Sequence, residues 1–280
     1  MTSANPMNKP IFWIEKGGYS RPMDILPGGF RRVTMPLPNR PGHVHAYLLP
    51  AGDDWTLVDN GLGLPDAAER WARELAQVDR PVTRIVVTHF HPDHVGAADD
   101  LAELTGAPVL QGRLDFEQCV QVWGSDDWAP VVDGWFGRNG VPPDVTDELV
   151  EQGLFYRSLV RYAAAPELLE AGDRIGGWEV VPAPGHADGQ LTLFKDGVLV
   201  AADHVLTPIT PTVGLWPASR PRSARRLPGC ARAHDRTRAL ACVAGPRRPD
   251  PRSRRPRPGA DRSSPGPPRR DRRRPRLGAA

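Results

Sequence analysis

A predicted strand that ends in a cluster of metal-ligand side chains constrains this chain more than any other feature. The strand-like run TRIVVTH continues into THFHPDHVGA, so that three histidines and one aspartate fall within six residues. His89 and His91 lie two apart where the strand ends, and Asp93 and His94 follow on the turn into the next helix. Imidazole nitrogens and carboxylate oxygens are the ligands that zinc and similar divalent cations prefer. The spacing H-x-H-x-D-H therefore predicts a metal site, which one isolated histidine would not.

Two further candidate ligands lie far along the chain. His186 belongs to PGHADGQ, a glycine-flanked turn between strand-like runs, and Asp203 ends the apolar run GVLVAAD. Both occupy loop positions at strand ends, as the first cluster does. The remaining histidines are interpreted as ordinary hydrogen-bonded residues: His43, His45, His204 and His234. For His204, which follows Asp203, a role toward the substrate or behind the ligands stays open.

The first 216 residues alternate between strand-like and helical patterns. The predicted order is strands at 30–37, 44–50 and 55–61, helix 64–78, strand 83–89, helix 95–106, strand 107–112, a mostly helical segment at about 114–170, and strands within 178–205. This order predicts an α/β (α+β) fold in which two sheets are covered by helices.

The helical segment at about 114–170 is rich in large aromatic residues. It contains Trp123, Trp128, Trp135, Phe136, Phe155 and Tyr156. These side chains either cover the metal edge and favour a hydrophobic acyl or lactone substrate, or they pack an ordinary core. The sequence leaves both alternatives open.

Charge divides the chain at about residue 216. Residues 217–280 contain 20 Arg, no Lys and 4 Asp, a formal charge of +16, whereas residues 1–216 carry −13. Such an Arg/Pro-rich composition cannot build a core, so 217–280 is predicted to be a disordered tail.

Three scattered cysteines give neither a disulfide framework nor metal-type spacing, and no apolar run predicts a membrane span or a signal peptide. We therefore expect a cytoplasmic protein without a membrane partner.

The motifs THFHPDH, PGHADG and AADHV together resemble those of the metallo-β-lactamase-fold hydrolases, over most of residues 30–216. The resemblance implies an αββα sandwich with a two-metal site along one edge. It implies that the first metal is bound by His89, His91 and His186, and the second by Asp93 and His94. It further implies that Asp203 bridges both metals and that Asp59, in LVDNG, supports the site from behind the ligands.

The chemistry that the resemblance implies is metal-assisted hydrolysis. Up to two Zn²⁺ ions, with iron or manganese as alternatives, would make hydroxide available at neutral pH and polarise the substrate oxygen. Asp93 would orient the nucleophile or carry its proton to the leaving group. The stretch DHVLTPITPTVGLWP is similar to the glyoxalase-II-like and β-lactamase-like-2 branches, which cleave thioesters, nucleic acids or other esters. We therefore expect a small-molecule acyl substrate with an ester, thioester or lactone bond.

The resemblance ends after Asp203. Family members place one more histidine ligand in a GHG-like turn after a further helix and strand, and no such motif follows Asp203 here. The fold is therefore predicted to lack its last helix–strand–helix. The composition of 217–280 suggests a GC-rich gene read out of frame from near 217–222, and codons permitted by residues 251–258 can spell Leu-Val-Leu-Ala-Gly-His-Gly in another frame. Resequencing the gene tests this hypothesis.

Two alternatives to a working hydrolase follow from the same features. The chain could be a weakly active or inactive remnant that binds one metal, because a ligand is missing. It could also be a nucleic-acid-binding or nucleic-acid-processing protein, because an Arg-rich tail attracts phosphate.

Overall fold

The computed structural model describes residues 23–39, 41–206, 211–212, 216–217, 219 and the main chain of 238–241. It contains a seven-stranded sheet in the order β1-β2-β3-β4-β5-β6-β7 and a five-stranded sheet in the order β12-β11-β10-β9-β8. The strands are β1 Asp24–Ile25, β2 Arg31–Pro36, β3 His43–Ala51, β4 Asp54–Val58, β5 Val82–Val87, β6 Val109–Gly112, β7 Glu167–Leu169, β8 Arg174–Ile175, β9 Trp178–Pro182, β10 Leu191–Lys195, β11 Val198–Ala202 and β12 Arg238–Ala241. The helices are α1 Ala67–Leu75, α2 Pro92–Val95, α3 Ala98–Thr105, α4 Arg113–Cys119, α5 Trp128–Arg138 and α6 Pro143–Arg157, and a π-helical turn, Val120–Gly124, follows α4.

Side-chain alternation along the strands explains why the two sheets stack. On β3, Leu48 packs on one face with Trp71 of α1 and Leu101 of α3, whereas Tyr47 and Leu49 pack on the other face with residues of β9 and β10. A strand that is apolar on both faces is typical of a layer covered on both sides. The described residues therefore form a helix–sheet–sheet arrangement. The α/β fold with two sheets is confirmed.

The larger sheet is antiparallel in its first half and parallel in its second half. Strands β1 to β4 form an antiparallel meander, and β4, β5, β6 and β7 then pair in parallel. Parallel neighbours require crossover connections, which α1, α3 and the insert helices supply. Because the carboxyl ends of parallel strands share one edge, the loops after β4 and β5 emerge side by side.

The structure changes two details of the predicted elements. The helix predicted at 95–106 is α3, which begins only at Ala98, and a separate short helix, α2, precedes it and ends at Val95. The mostly helical segment at about 114–170 is helical only to Arg157, and it ends in strand β7. A three-residue strand carries too short a pattern for period-two alternation to be recognised.

Strand β12 lies inside the segment that composition predicts to be a disordered tail. It pairs in parallel with β11, from Val198↔Arg238 to Ala202↔Ala241. A parallel ladder depends on main-chain groups, so four residues of unremarkable sequence can extend the sheet. The helices expected beside such a strand, the position of His234 and the residues that would bear on a frameshift lie outside the described residues, and the predicted boundary at 216 stays a prediction. Among the described residues, every helix is too short or too polar to cross a bilayer.

Candidate metal centre

The predicted ligands come from three loops that meet at one edge of the sandwich. His89, His91 and His94 follow β5, whereas His186 lies between β9 and β10, and Asp203 follows β11. The structure thus brings together residues that are up to 114 positions apart. His89 and His94 are fully buried, and the side chains of His186 and Asp203 are 8% and 16% exposed.

Three imidazole rings converge on one point. His91 Nδ1 lies 3.1 Å from His89 Nε2 and 2.8 Å from His186 Nε2. One ring nitrogen can carry a single proton, so it cannot satisfy two neighbours that both present lone pairs. A divalent cation resolves this conflict, because it accepts a lone pair from each of the three nitrogens.

In His89 and His186, the hydrogen bond made by Nδ1, the ring nitrogen that faces away from the other ligands, shows which nitrogen carries the proton. Thr88 Oγ1 donates to Asp59 Oδ2 and lies 3.0 Å from His89 Nδ1, so that nitrogen carries a proton that it donates to the hydroxyl. His186 Nδ1 donates to the carbonyl oxygen of Thr212 at 2.6 Å. Both assignments leave an Nε2 lone pair pointing toward the other ligands, the arrangement in which histidine binds a metal.

Burial supports the neutral state of two of these rings. Burial lowers the pKa of His89 well below its usual range, and the neighbouring histidines lower it further. Burial and then the charge of His186 hold the pKa of His91 well below its usual range. Both rings are therefore free of the second proton that would block metal binding.

A second group joins His89 to His94 and Asp203, whose ligand atoms all lie within 4.8 Å of one another. His94 Nδ1 donates to Asp59 Oδ2 at 2.8 Å, which leaves its Nε2 facing Asp203 Oδ1 at 3.4 Å. Within the described part of the chain, neither of these two facing atoms makes a hydrogen bond of acceptable geometry. Asp203 Oδ2 also lies 3.5 Å from His186 Nε2, so this carboxylate lies between the two groups.

The charge of the second group also fits a cation. Burial acts to lower the pKa of His94, but three surrounding carboxylates outweigh burial and hold that pKa well above its usual range. These carboxylates belong to Asp203, Asp93 and Asp59. Burial acts to raise the pKa of Asp203, but His94 and the other histidines hold it below its usual range. The carboxylates around His94 therefore favour positive charge at this position, which either a second proton on His94 or a bound cation would supply.

Asp93 is the predicted ligand that fits least closely. Its Oδ2 lies 3.7 Å from His94 Nε2, its side chain is 30% exposed, and it belongs to neither of the two close groups. The carboxylate therefore stands at the rim of the centre. Its predicted roles, as a ligand and as a proton carrier, remain predictions.

Asp59 holds the centre from behind, at the position that the resemblance implies. Its Oδ1 accepts from the Thr88 N–H at 2.9 Å, and its Oδ2 accepts from the Thr88 hydroxyl and from His94. The residue is fully buried and has a φ of 59°, in the left-handed region that few non-glycine residues adopt. Ala202, just before Asp203, also has a positive φ of 45°. Unfavourable backbone at both strand ends is typical of functional sites.

Sequence reasoning missed Asp115 and Gln190, which hold the metal-binding loops, and it did not assign Trp123 to a contact with them. Asp115 Oδ1 accepts from the Phe90 N–H at 3.0 Å, and Trp123 Nε1 donates to the Phe90 carbonyl at 2.7 Å. Gln190 is fully buried, and with its amide oxygen toward the main chain it accepts from Asp203 N at 3.2 Å. One signal could have revealed Asp115, because it lies one helical turn before Cys119 on the apolar face of α4.

The metal centre opens beside a large cavity. A space of about 520 Å³ lies between the Phe90–His91–Pro92 turn and the insert helices, with aromatic side chains on its walls. Of the aromatic residues of the insert, Trp123, Trp128, Phe136 and Tyr156 line this space, and Trp135 and Phe155 are not among its lining residues.

Comparison with known proteins decides the family. A model described as the metallo-beta-lactamase superfamily matches residues 39–248. The chain belongs to the metallo-beta-lactamase superfamily. A metallo-beta-lactamase family protein of that superfamily, TTHA1429 from Thermus thermophilus, is 28% identical with a TM-score of 0.68, covering 79% of this chain and 75% of its own. A beta-lactamase domain protein from Burkholderia ambifaria is 25% identical with a TM-score of 0.67, covering 79% of this chain and 68% of its own.

Two relatives within the metallo-beta-lactamase superfamily carry functional names. The probable metallo-hydrolase YqjP of Bacillus subtilis (strain 168) is 28% identical over 187 residues, which are 62% of this chain and 56% of YqjP. The atrochrysone carboxyl ACP thioesterase of Aspergillus chevalieri is 33% identical over 112 residues, which are 37% of this chain and 36% of that protein. The chain spans little more than half the length of YqjP. The chain thus belongs to a metallo-hydrolase family, and its own structure contains a His/Asp group that could hold a metal ion.

Proposed function

We propose that the chain is a zinc-dependent hydrolase that cleaves an ester, thioester or lactone bond in a small-molecule acyl substrate. One observation carries the proposal: imidazole lone pairs and the Asp203 carboxylate converge at the mouth of an apolar cavity. Nitrogen and carboxylate ligands suit zinc, and the same set suits iron or manganese. The thioesterase name of one partial relative supports the acyl substrate.

The ligand set divides between two cations. His89, His91 and His186 would hold one, and His94 with Asp203 and Asp93 would hold the other. Asp203 lies within 3.5 Å of a nitrogen of each set, which suits a bridging role. A bound divalent cation lowers the pKa of water and polarises the substrate carbonyl.

Side chains of this protein would transfer the proton, hold the ligands in position and exclude water. Asp93, at the exposed rim, accepts a proton from the attacking water and passes it to the leaving group. Asp59 fixes the proton of His94 on Nδ1, and Asp115 and Trp123 hold Phe90, so the ligands keep their positions during turnover. The aromatic walls exclude water from the acyl side of the site.

Metal content and turnover measured on the same preparation test the proposal. Purified protein loaded with Zn²⁺ should contain up to two equivalents and should hydrolyse p-nitrophenyl butyrate, an acyl thioester or an acyl lactone. His186→Ala and Asp203→Asn should each lower turnover by at least about 100-fold, since each removes a ligand. His43→Ala, on β3 and outside both groups, is the matched control.

The same experiment identifies the competing interpretation. One equivalent of metal without turnover on any acyl substrate would indicate a metal-binding remnant. Turnover that is insensitive to both ligand variants would place the chemistry elsewhere and refute the assignment of the site.

A further inference from the structure

The cavity beside the metal centre is built from five segments. The metal-binding turn supplies Phe90, His91 and Pro92, and the π-helical turn Val120–Gly124 supplies Gln121, Val122 and Trp123. Helices α5 and α6 complete the walls, together with Trp216. A ligand in this space would therefore touch His91 at one end and insert helices along its length.

The walls of the cavity are apolar and uncharged. Six aromatic side chains line it, the polar lining residues are neutral, and no Lys, Arg, Asp or Glu of the described chain faces it. The aromatic residues are Phe90, Trp123, Trp128, Phe136 and Trp216, and Tyr156 adds a partly polar ring. Such walls cannot stabilise a phosphate or a carboxylate, but they gain free energy from every apolar group that they remove from water.

Polar contacts behind the walls keep the cavity open. The Arg157 guanidinium donates to the carbonyl oxygens of Val122 and Ser125, and it lies 5.4 Å from the ring of Trp128. The Asn39 amide donates to the Tyr156 hydroxyl at 2.6 Å. Protein interiors normally pack without voids of this size, so fixed walls around about 520 Å³ indicate a binding space rather than a loose core.

Gly153 sets the depth of the cavity. The Trp128 ring lies directly on this glycine of α6, and a Cβ at position 153 would collide with that ring. A larger residue would therefore push Trp128 into the space. Gly137, on the neighbouring helix α5, offers a matched control, because a Cβ there would meet no atom within 4 Å.

We propose that this cavity holds the acyl part of the substrate, and that this part is a large, uncharged, apolar group. The proposal rests on the proposed hydrolase function and deepens it, because it assigns selectivity to the acyl side and not to the leaving group. The carbonyl lies at the His91 end, and the thiol or alcohol that leaves remains outside the cavity. A straight alkyl chain and an aromatic ring system share this chemistry, and the experiment separates them.

Hydrolysis of esters with a common leaving group measures the selectivity. The p-nitrophenyl esters of acetate, butyrate, decanoate and 2-naphthoate are compared on the zinc-loaded full chain. Burial of each methylene group contributes about three- to fourfold in binding, so kcat/KM should rise at least about 100-fold from butyrate to the preferred large acyl group. The larger of the decanoate and naphthoate values identifies an alkyl or an aryl substrate.

Binding of uncharged, unreactive amides provides a readout that does not need activity. Decanamide and 2-naphthamide should quench the tryptophan fluorescence of the full chain and bind in the micromolar range. Gly153→Ala should weaken this binding and reduce the preference for large acyl groups at least about tenfold. Val132→Phe, which adds volume from α5, should act in the same direction if Gly153→Ala fails to fold, and Gly137→Ala should leave both properties as in the parent.

The outcomes separate the two proposals. Amide binding that Gly153→Ala weakens, without any metal-dependent turnover, supports the acyl cavity and overturns the hydrolase. Turnover that is equal for acetate and the large acyl groups, without amide binding, overturns the acyl cavity and retains the hydrolase. Absence of both turnover and binding overturns both.

Discussion

Asp59 shows how one buried carboxylate fixes the protons of a metal centre. The Thr88 N–H donates to Oδ1, whereas Oδ2 accepts from the Thr88 hydroxyl and from His94 Nδ1. An acceptor at this position directs the lone pair of His94 to the other side of the ring. The left-handed φ of Asp59 is a further constraint, and among residues with a side chain asparagine is one that adopts this region comparatively readily.

Asp59→Asn should lower metal affinity without unfolding the chain. The amide nitrogen would face His94 Nδ1, so the ring would move its proton to Nε2 and block the ligand position. We expect Zn²⁺ affinity to fall about 10- to 100-fold, measured by competition with a chromophoric chelator. Asp53→Asn, an exposed substitution with the same charge change, is the control. Equal affinities in the parent and Asp59→Asn would show that the carboxylate does not set the proton position.

Asp115 should make stability depend on pH. Burial raises the pKa of this carboxyl to about 7, although hydrogen bonds from Gln111 and Phe90 act to lower it. The folded chain therefore keeps the proton up to about pH 7, whereas the unfolded chain loses it near pH 4. The stability that this carboxyl contributes is complete below about pH 4 and is lost as pH rises through about 7.

Asp115→Asn removes this dependence and keeps the contact with Phe90. Gln111 Oε1 has no hydrogen-bond partner among the described residues, so its amide can rotate to accept from the new Asn. From pH 5 to pH 8 the free energy of unfolding of the parent should fall by about 2–3 kcal/mol relative to the variant, measured by urea denaturation with a chelator present. Glu117→Gln, exposed on the same helix, controls for the lost charge. Parallel pH profiles of the parent and Asp115→Asn would refute the assignment.

At the scale of elements, the sequence predicted those helices and strands that are determined by the pattern of neighbouring residues. Apolar runs and helical periodicity located β2 to β6, α1 and the insert, and the ligand spacing after β5 was enough to identify the metal loop. Strands β7 and β12 escaped detection because neither carries a distinctive apolar run and each is defined by its partner across the sheet. Asp115 and Gln190 escaped because their partners lie 25 and 13 residues away, and a sequence pattern records only neighbours.

The turn between β9 and β10 illustrates this difference between local and non-local determinants. The turn between β10 and β11 is a local one, because Gly197, with a φ of 77°, follows Asp196 in a two-residue turn in which both φ values are positive. Gly189 is required for another reason. A Cβ there would lie 2.8 Å from the Cβ of Asp115 and closer still to its main chain.

Gly189→Ala should therefore displace the loop that carries His186. The main chain of α4 cannot yield to the added methyl group, so the loop must move. We expect a loss of about 1–3 kcal/mol in the free energy of unfolding and weaker Zn²⁺ binding, measured by urea denaturation and chelator competition. Gly137→Ala is the control, since its methyl group meets open space. Unchanged metal binding in Gly189→Ala would show that the His186 loop does not depend on this close approach.

At the scale of the whole molecule, the metal centre depends on the stacking of the two sheets. Its ligands follow β5 of one sheet and flank β10 and β11 of the other, so no single sheet holds a complete site. The apolar layer of Tyr47, Leu49, Trp178 and Leu193 fixes the two sheets against each other. Metal binding should consequently stabilise the stacked arrangement, because the cation joins both layers.

Charge is the second property of the whole molecule, and it is concentrated at one end of the sequence. Residues 246–280 contain 13 Arg and 3 Asp, a formal charge of +10. Cations of this density bind phosphate without regard to base sequence, with log Kobs falling linearly against log salt concentration. This property is independent of the acyl cavity, whose described walls carry no basic side chain other than His91.

Deleting residues 246–280, which leaves β12 in the chain, should separate the two properties. The parent should bind two unrelated DNA duplexes equally, and the deletion should weaken that binding at least about tenfold at low salt and flatten its salt dependence. Hydrolysis of an uncharged ester should stay at the parental rate, because the ligands and the cavity remain. Fluorescence anisotropy at several salt concentrations and an ester assay measure both effects. Unchanged DNA affinity and slope after the deletion would rule out this segment as a nucleic-acid-binding arm, and a loss of ester hydrolysis would instead show that it contributes to the catalytic unit.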